Sequence, residues 1–125
     1  MSGPVWAAFL AAAGLGAVAR ALLDGWVTGR TSGPFPWGTL VVNLSGSFVL
    51  GLIAGLTLYH GLSDGTRTVL GTGAMGAYTT FSTFTLETVR LAEDGAAGAA
   101  VRNVAISFLV GLGAASAGVG LMALV

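Results

Sequence analysis

The sequence has very little charge and no cysteine. It carries five positive and five negative side chains among 125 residues, and the charged fraction is 8%. A soluble domain carries about 25% charged residues, so this chain cannot cover a water-facing surface. The absence of cysteine excludes disulfides and thiolate chemistry, and the absence of a basic run excludes nucleic acid as a partner. No soluble part is long enough to hold an active site, so we do not expect an enzyme.

The chain consists instead of four apolar stretches joined by short polar connections. The stretches cover residues 4–23, 37–59, 68–90 and 99–125, and each is close to the roughly 20 residues that a helix needs to cross a bilayer. The sequence therefore predicts one all-α integral membrane domain over residues 1–125, with four spans. Glycine is frequent, at 21 residues, which indicates closely packed helices in an apolar chain.

The third stretch contains an unusually polar segment, GTGAMGAYTTFSTFTLE, from residue 71 to residue 87. Its glycines match the dinucleotide fingerprint GxGxxG, but they lack the strand and the soluble βαβ unit which that motif requires. We expect a helix break over Gly71, Gly73, Gly76, Thr79 and Thr80. A break frees backbone groups at membrane depth, which is tolerated only where they are buried in protein, bind an ion or line water.

Two polar side chains within the other spans each have two interpretations. Asn43 shares a helix face with Thr39 and Ser47, and its amide is costly at mid-span unless it is paired. Asn43 either forms an interhelical hydrogen bond, worth about 1 kcal/mol, or serves as a donor in a polar pathway. The polar neighbours Thr39 and Ser47 favour the pathway. Arg20 is either a snorkelling anchor or a positive group in a vestibule that attracts anions.

Phe81 and Phe84 share a helix face within the polar segment. Phenylalanines on a membrane helix are usually packing residues, but here the adjacent side chains are hydroxyls. The edge of an aromatic ring is positive, so it can face an anion that has lost its water. Glu87 is the only acidic residue near a span, and it either pairs with an arginine or lies at a mouth. In the last span, Ser107 lies one turn beyond Asn103 on the same face, and we expect it to line the anion pathway.

Three motifs resemble the fluoride channel family known as Fluc or CrcB. They are GAVAR (residues 16–20), GTLVVNLSGSFVLG (38–51) and GAMGAYTTFSTFTLE (73–87). The resemblance covers the whole chain and implies an antiparallel, dual-topology-type dimer of four-helix subunits with a broken third helix. It also implies two pores that export fluoride passively from the cytoplasm across a bacterial inner membrane.

The same resemblance implies roles for individual residues. The backbone carbonyls of Gly76 and Thr79 would hold a central sodium ion, structural and not transported. Asn43, Phe81 and Phe84 would line the pore. The further positions that the resemblance places in or near the path are Arg20 in a vestibule, Thr39, Ser82 and Thr83 beside the path, and Glu87 at the end of the broken helix.

The last span departs from the family pattern. Family members carry a tyrosine followed by serines as a polar track, where this chain has Asn103, Ser107 and Gly111. The arginines are also unevenly distributed between the two predicted sides, whereas a dual-topology homodimer needs little bias. We therefore expect either an antiparallel homodimer or a heterodimer with a homologous subunit.

Two other functions compete with a channel. A small four-span proton-coupled multidrug exporter needs a carboxylate near the middle of a span, and no span has one at its centre. A packing subunit of a larger complex would have no pore and no flux of its own.

Overall fold

The structure, a computed structural model that describes all 125 residues, is entirely helical. Its elements are α1 (Gly3–Thr28), α2 (Trp37–His60), α3 (Asp64–Arg67), a π-helix (Thr68–Met75), α4 (Gly76–Tyr78), α5 (Ser82–Glu93) and α6 (Ala97–Leu124). Only α1, α2 and α6 are long and apolar enough to cross a membrane as single helices. The third apolar stretch is divided, and α3, the π-helix and α4 form its first part while α5 forms its second.

The first helix continues beyond the predicted end at residue 23 and stops at Thr28. We expected Asp24 to begin a polar connection. Instead, the Thr28 hydroxyl donates to the Asp24 carboxylate one turn earlier, at 3.3 Å. Both side chains lie against Gly38 of α2, where a Cβ atom would collide with the carboxylate. The polar turn is accommodated by helix packing, and the connection begins at Gly29.

Small residues allow the long helices to approach closely, as their frequency predicted. On α6, Gly118 lies against the backbone of α2, and Gly51 of α2 lies against Ala115. On α1, Gly16 lies against the backbone carbonyl of Ala74 in the π-helix. These contacts place α2 between α1 and α6, with the divided third stretch beside them.

The outer faces of the long helices are apolar. Leu15 and Leu22 of α1 and Leu109 and Leu112 of α6 are each about 70% exposed, at 69–72%. Large apolar surfaces of this extent are typical of contact with a membrane or with another protein.

Gly118→Ala is expected to destabilise the fold, because the added Cβ would lie 2.7 Å from the Leu52 amide nitrogen. Overpacking of this kind costs about 1–3 kcal/mol, so the thermal unfolding midpoint in detergent should fall. Gly113→Ala on the same helix is the control, since no atom lies within 4 Å of its added Cβ. Equal midpoints for the two variants would contradict the packing of α6 on α2.

Candidate functional site

The third stretch leaves the helical conformation at Thr79. Its φ and ψ angles are −81° and 157°, and helix resumes at Ser82. The glycines at 71 and 73, where we expected the break to begin, lie within the continuous π-helix. A π-helix retains backbone hydrogen bonds despite an irregular winding, so these glycines loosen the helix without interrupting it.

Asn43 of α2 holds the broken segment through both atoms of its side-chain amide. Its Nδ2 donates to the Thr80 carbonyl oxygen at 2.8 Å, and its Oδ1 accepts from the Thr80 backbone nitrogen at 2.9 Å. A helix would have satisfied these two backbone groups from within. Asn43 therefore replaces the hydrogen bonds that the break removes from Thr80, which is the interhelical pairing considered above, directed at the backbone of one residue.

The Thr80 side chain also caps the start of the helix that follows the break. Its hydroxyl oxygen accepts from the Thr83 backbone nitrogen at 3.2 Å and lies 3.1 Å from the Thr83 hydroxyl. A threonine that bonds to the amide three residues later is a typical N-terminal cap. Sequence reasoning placed Thr80 at the break but missed this role, although the Thr-x-x-Thr spacing signals it. Thr80 thus joins α2 to the start of α5.

Two backbone carbonyls beside the break accept no hydrogen bond. In a continuous helix, the Gly76 carbonyl would accept from the Thr80 amide, but here that amide donates to Asn43. The Thr79 carbonyl would likewise accept from the Thr83 amide, but that amide donates to the Thr80 hydroxyl. No other backbone or side-chain donor reaches either carbonyl. The break therefore leaves two free acceptors at the positions where the family resemblance implies a cation.

A groove of about 440 Å³ lies beside the break, between α2 and α6. It is lined by Asn43, Ser47, Leu50, Thr79, Thr80, Phe81, Phe84, Ser107, Phe108, Gly111 and Leu112. Four predicted pathway residues are in this lining: Asn43, Phe81, Phe84 and Ser107. Thr39, Ser82 and Thr83, the other three, do not line it.

The groove contains three phenylalanine rings in succession. The Phe81 and Phe84 ring centres are 5.9 Å apart, and those of Phe84 and Phe108 are 6.2 Å apart with nearly perpendicular planes. Phe84 is buried at 8% exposure, whereas Phe81 is 72% exposed. Phe108 was missed in the sequence, where it follows Ser107 and is one apolar residue among many in the last span.

Arg20, Thr39 and Thr83 line a second cavity, of about 200 Å³, together with Asp24 and Thr80. The Arg20 side chain forms no ion pair, because the single ion pair of the chain joins Arg67 to Asp64. This cavity and the groove share Thr80. An arginine without an ion-pair partner therefore lines the same cavity as Thr80, the residue that Asn43 holds.

Glu87 pairs with a threonine and not with an arginine. The Thr39 hydroxyl donates to Glu87 Oε1 at 3.0 Å, and Oε2 is buried without a partner. Both residues line a polar cavity of about 400 Å³ with Asp24, Arg90 and Asp94. Thr39 also lines the Arg20 cavity, so the two polar cavities meet at this residue.

A family model described as "CrcB-like protein, Camphor Resistance (CrcB)" matches residues 7–119. The chain belongs to the CrcB family. It is 50% identical over 107 residues to the "Fluoride-specific ion channel FluC 1" of Leifsonia xyli subsp. xyli, an alignment covering 86% of this chain and 78% of that protein. It is 46% identical to the "Fluoride-specific ion channel FluC 2" of Mycolicibacterium paratuberculosis over 91% of this chain and 90% of the relative.

A further relative is the "Fluoride-specific ion channel FluC 1" of Streptomyces avermitilis, at 45% identity over 91% of this chain and 92% of that protein. CrcB proteins are therefore ion channels and not enzymes. With three helices long enough to cross a membrane, this CrcB chain is a multi-pass membrane protein.

Asn43→Leu is expected to free the backbone N–H and C=O of Thr80. A buried donor without an acceptor costs about 1–3 kcal/mol, so the Thr80 amide should exchange hydrogen at least about fivefold faster. Exchange at Thr80 can be followed by NMR in detergent. Ser45→Ala is the control, because Ser45 lies on the same helix but bonds to the Tyr78 hydroxyl, at 2.7 Å. An unchanged Thr80 amide in Asn43→Leu would contradict the pairing.

Proposed function

We propose that this chain forms a fluoride-selective channel in a bacterial cell membrane, which exports fluoride passively from the cytoplasm and lowers cellular fluoride. The observation that carries the proposal is the groove beside the break, where Asn43, Phe81, Phe84 and Ser107 converge. The names of the relatives, fluoride-specific ion channels at 43–50% identity, support the same function.

The proposed channel needs a fourth span and a second subunit. The two parts of the third stretch, from Asp64 to Glu93, would together make the fourth crossing. The groove opens at the surface of the single chain, and Phe81 is largely exposed there. A second subunit packed in the opposite direction would close the groove, either as an antiparallel homodimer or as a heterodimer with a homologous chain. Each dimer would then have two anion paths.

The chemistry of the groove suits a small anion that must give up its water. One Nδ2–H of Asn43 is used by Thr80, which leaves the second as a donor. Ser47 and Ser107 add hydroxyl donors to the same lining. Phe81 and Phe84 offer ring edges, which are weakly positive. Several weak donors allow an ion to enter a dry path and also to leave it.

The free carbonyls of Gly76 and Thr79 fit a cation such as sodium, because hard cations bind oxygen ligands and neither oxygen accepts a hydrogen bond. A structural Na⁺ there would supply the positive charge that offsets the carbonyl dipoles. Gly76 is exposed in the single chain, so the same carbonyls of a second subunit can complete the ligand set. The ion is proposed to hold the dimer together and not to be transported.

No observation favours a proton-coupled exporter. Such a protein needs a carboxylate in its transport path, and the groove lining contains none. Glu87 lies instead in the polar cavity with Thr39.

Phe81→Ile and Phe84→Ile are each expected to slow fluoride efflux from liposomes by about tenfold, since loss of the ring edge removes an interaction worth about 1.5 kcal/mol. Assembly should persist, because the groove is built mainly by α2 and α6. Efflux is measured with a fluoride electrode. Phe9→Ile is the control, since Phe9 lies against Gly73 and outside the groove. Normal efflux through both groove variants would refute the pore role.

Replacing sodium by a bulky organic cation such as N-methyl-D-glucamine is expected to lower the thermal unfolding midpoint of the purified protein. The carbonyls of Gly76 and Thr79 would then lack a partner in the assembled dimer, which costs about 1–3 kcal/mol for each buried group. Exchanging the anion while keeping sodium is the control. The same midpoint with and without sodium would contradict the cation site.

A further inference from the structure

A chain of two hydrogen bonds links α6 to the backbone of Phe84. Asn103 of α6 is 1% exposed, and its Nδ2 donates to the Thr88 hydroxyl oxygen at 2.9 Å. The Thr88 hydroxyl in turn donates to the Phe84 carbonyl oxygen at 2.8 Å. Each bond uses a donor and an acceptor that the other leaves free, so the two are compatible and strengthen one another.

The short helix that carries Phe84 depends on α6 for its position. α5 has 12 residues and is separated from the rest of its span by the break. It packs more extensively on α6 than on α2. The Phe84 ring also meets a ring of α6, that of Phe108, edge to face. α6 therefore contacts Phe84 twice, at its ring directly and at its backbone through Thr88.

Asn103 does not lie in the groove, where the polar track of the family would place it. It is absent from the groove lining, whereas Ser107 is part of it. Its amide instead donates to the Thr88 hydroxyl of α5, and that hydroxyl donates to the Phe84 carbonyl. A general interhelical bond would not need that particular partner.

We propose that Asn103 is a positioning residue that sets the Phe84 ring in the groove through the Thr88 hydroxyl. The proposal rests on the proposed fluoride channel function and deepens it by adding residues that act on the path without touching the anion. Asn103 occupies the sequence position of a residue of the family's polar track. It acts on the Phe84 ring through the backbone of α5.

The test places 4-fluorophenylalanine at position 84 and records its fluorine NMR signal together with fluoride efflux from liposomes. Asn103→Leu removes the first donor, and Thr88→Val removes the hydroxyl between the two residues. Both variants should shift or broaden the signal and slow efflux by about fivefold, the factor expected for one lost hydrogen bond. Thr88→Ser retains the hydroxyl, so its fluorine signal and its fluoride efflux should match those of the wild type.

Thr57→Val is the matched control. Thr57 makes the same kind of bond to the carbonyl four residues earlier, Ile53, at 2.9 Å, but it lies on α2 outside the groove. Its substitution should leave the signal and the efflux unchanged. Thr88→Val and Asn103→Leu interrupt the same chain from different residues, so a folding failure in one leaves the other as a full test.

An unchanged fluorine signal in Asn103→Leu and Thr88→Val would overturn the proposal, whatever the efflux. A shifted signal with normal efflux would also overturn it, because the ring position would not govern permeation. Wild-type protein that passes no fluoride, alone and with a homologous subunit, would overturn the channel function itself, and that failure is distinguishable because the fluorine signal reports the ring position separately.

Discussion

The pairing of Asn43 with the backbone N–H and C=O of Thr80 is the interaction on which the rest of the structure depends. Backbone groups released within a membrane find no water, so a break survives only if the protein satisfies them. Asn43 does so with one donor and one acceptor, at 2.8 and 2.9 Å. Everything that fixes α2, including the close glycine contacts with α1 and α6, therefore also fixes the break. The Thr80 hydroxyl then caps α5, so the position of the break also determines where Phe81 and Phe84 lie.

The break separates groups of opposite polarity. The carbonyls of Gly76 and Thr79 accept no hydrogen bond, so they form an electron-rich surface suited to a cation. The groove contains amide and hydroxyl donors and the positive edges of aromatic rings, which suit an anion. One local departure from helical geometry accounts for both proposed ion sites. The groove opens at the surface of the single chain, which is why the proposed function includes a second subunit.

Composition and motifs predicted the general architecture, because long apolar runs with almost no charge have few alternatives to membrane helices. They also predicted Asn43, Phe81, Phe84 and Ser107, which converge on one groove. They did not predict how Asn43 is used, since its partner is 37 residues away and a pairing at that distance leaves no periodic signal. For the same reason, Asn103 was assigned to a polar track, although it bonds to Thr88. The break lies after the glycines and not among them, because the π-helix accommodates Gly71 and Gly73 and α4 continues from Gly76.

The central claim is that this chain builds a selective path for fluoride around the break. Its most direct test is the electrical current through a lipid bilayer that contains the purified protein, alone or with a homologous subunit. The current is measured first with fluoride as the sole small anion and then with chloride in its place. We predict a current in fluoride that falls to the background of the bare bilayer in chloride. Equal currents with both anions would contradict the account, as would no current with either anion from this chain both alone and with a homologous subunit.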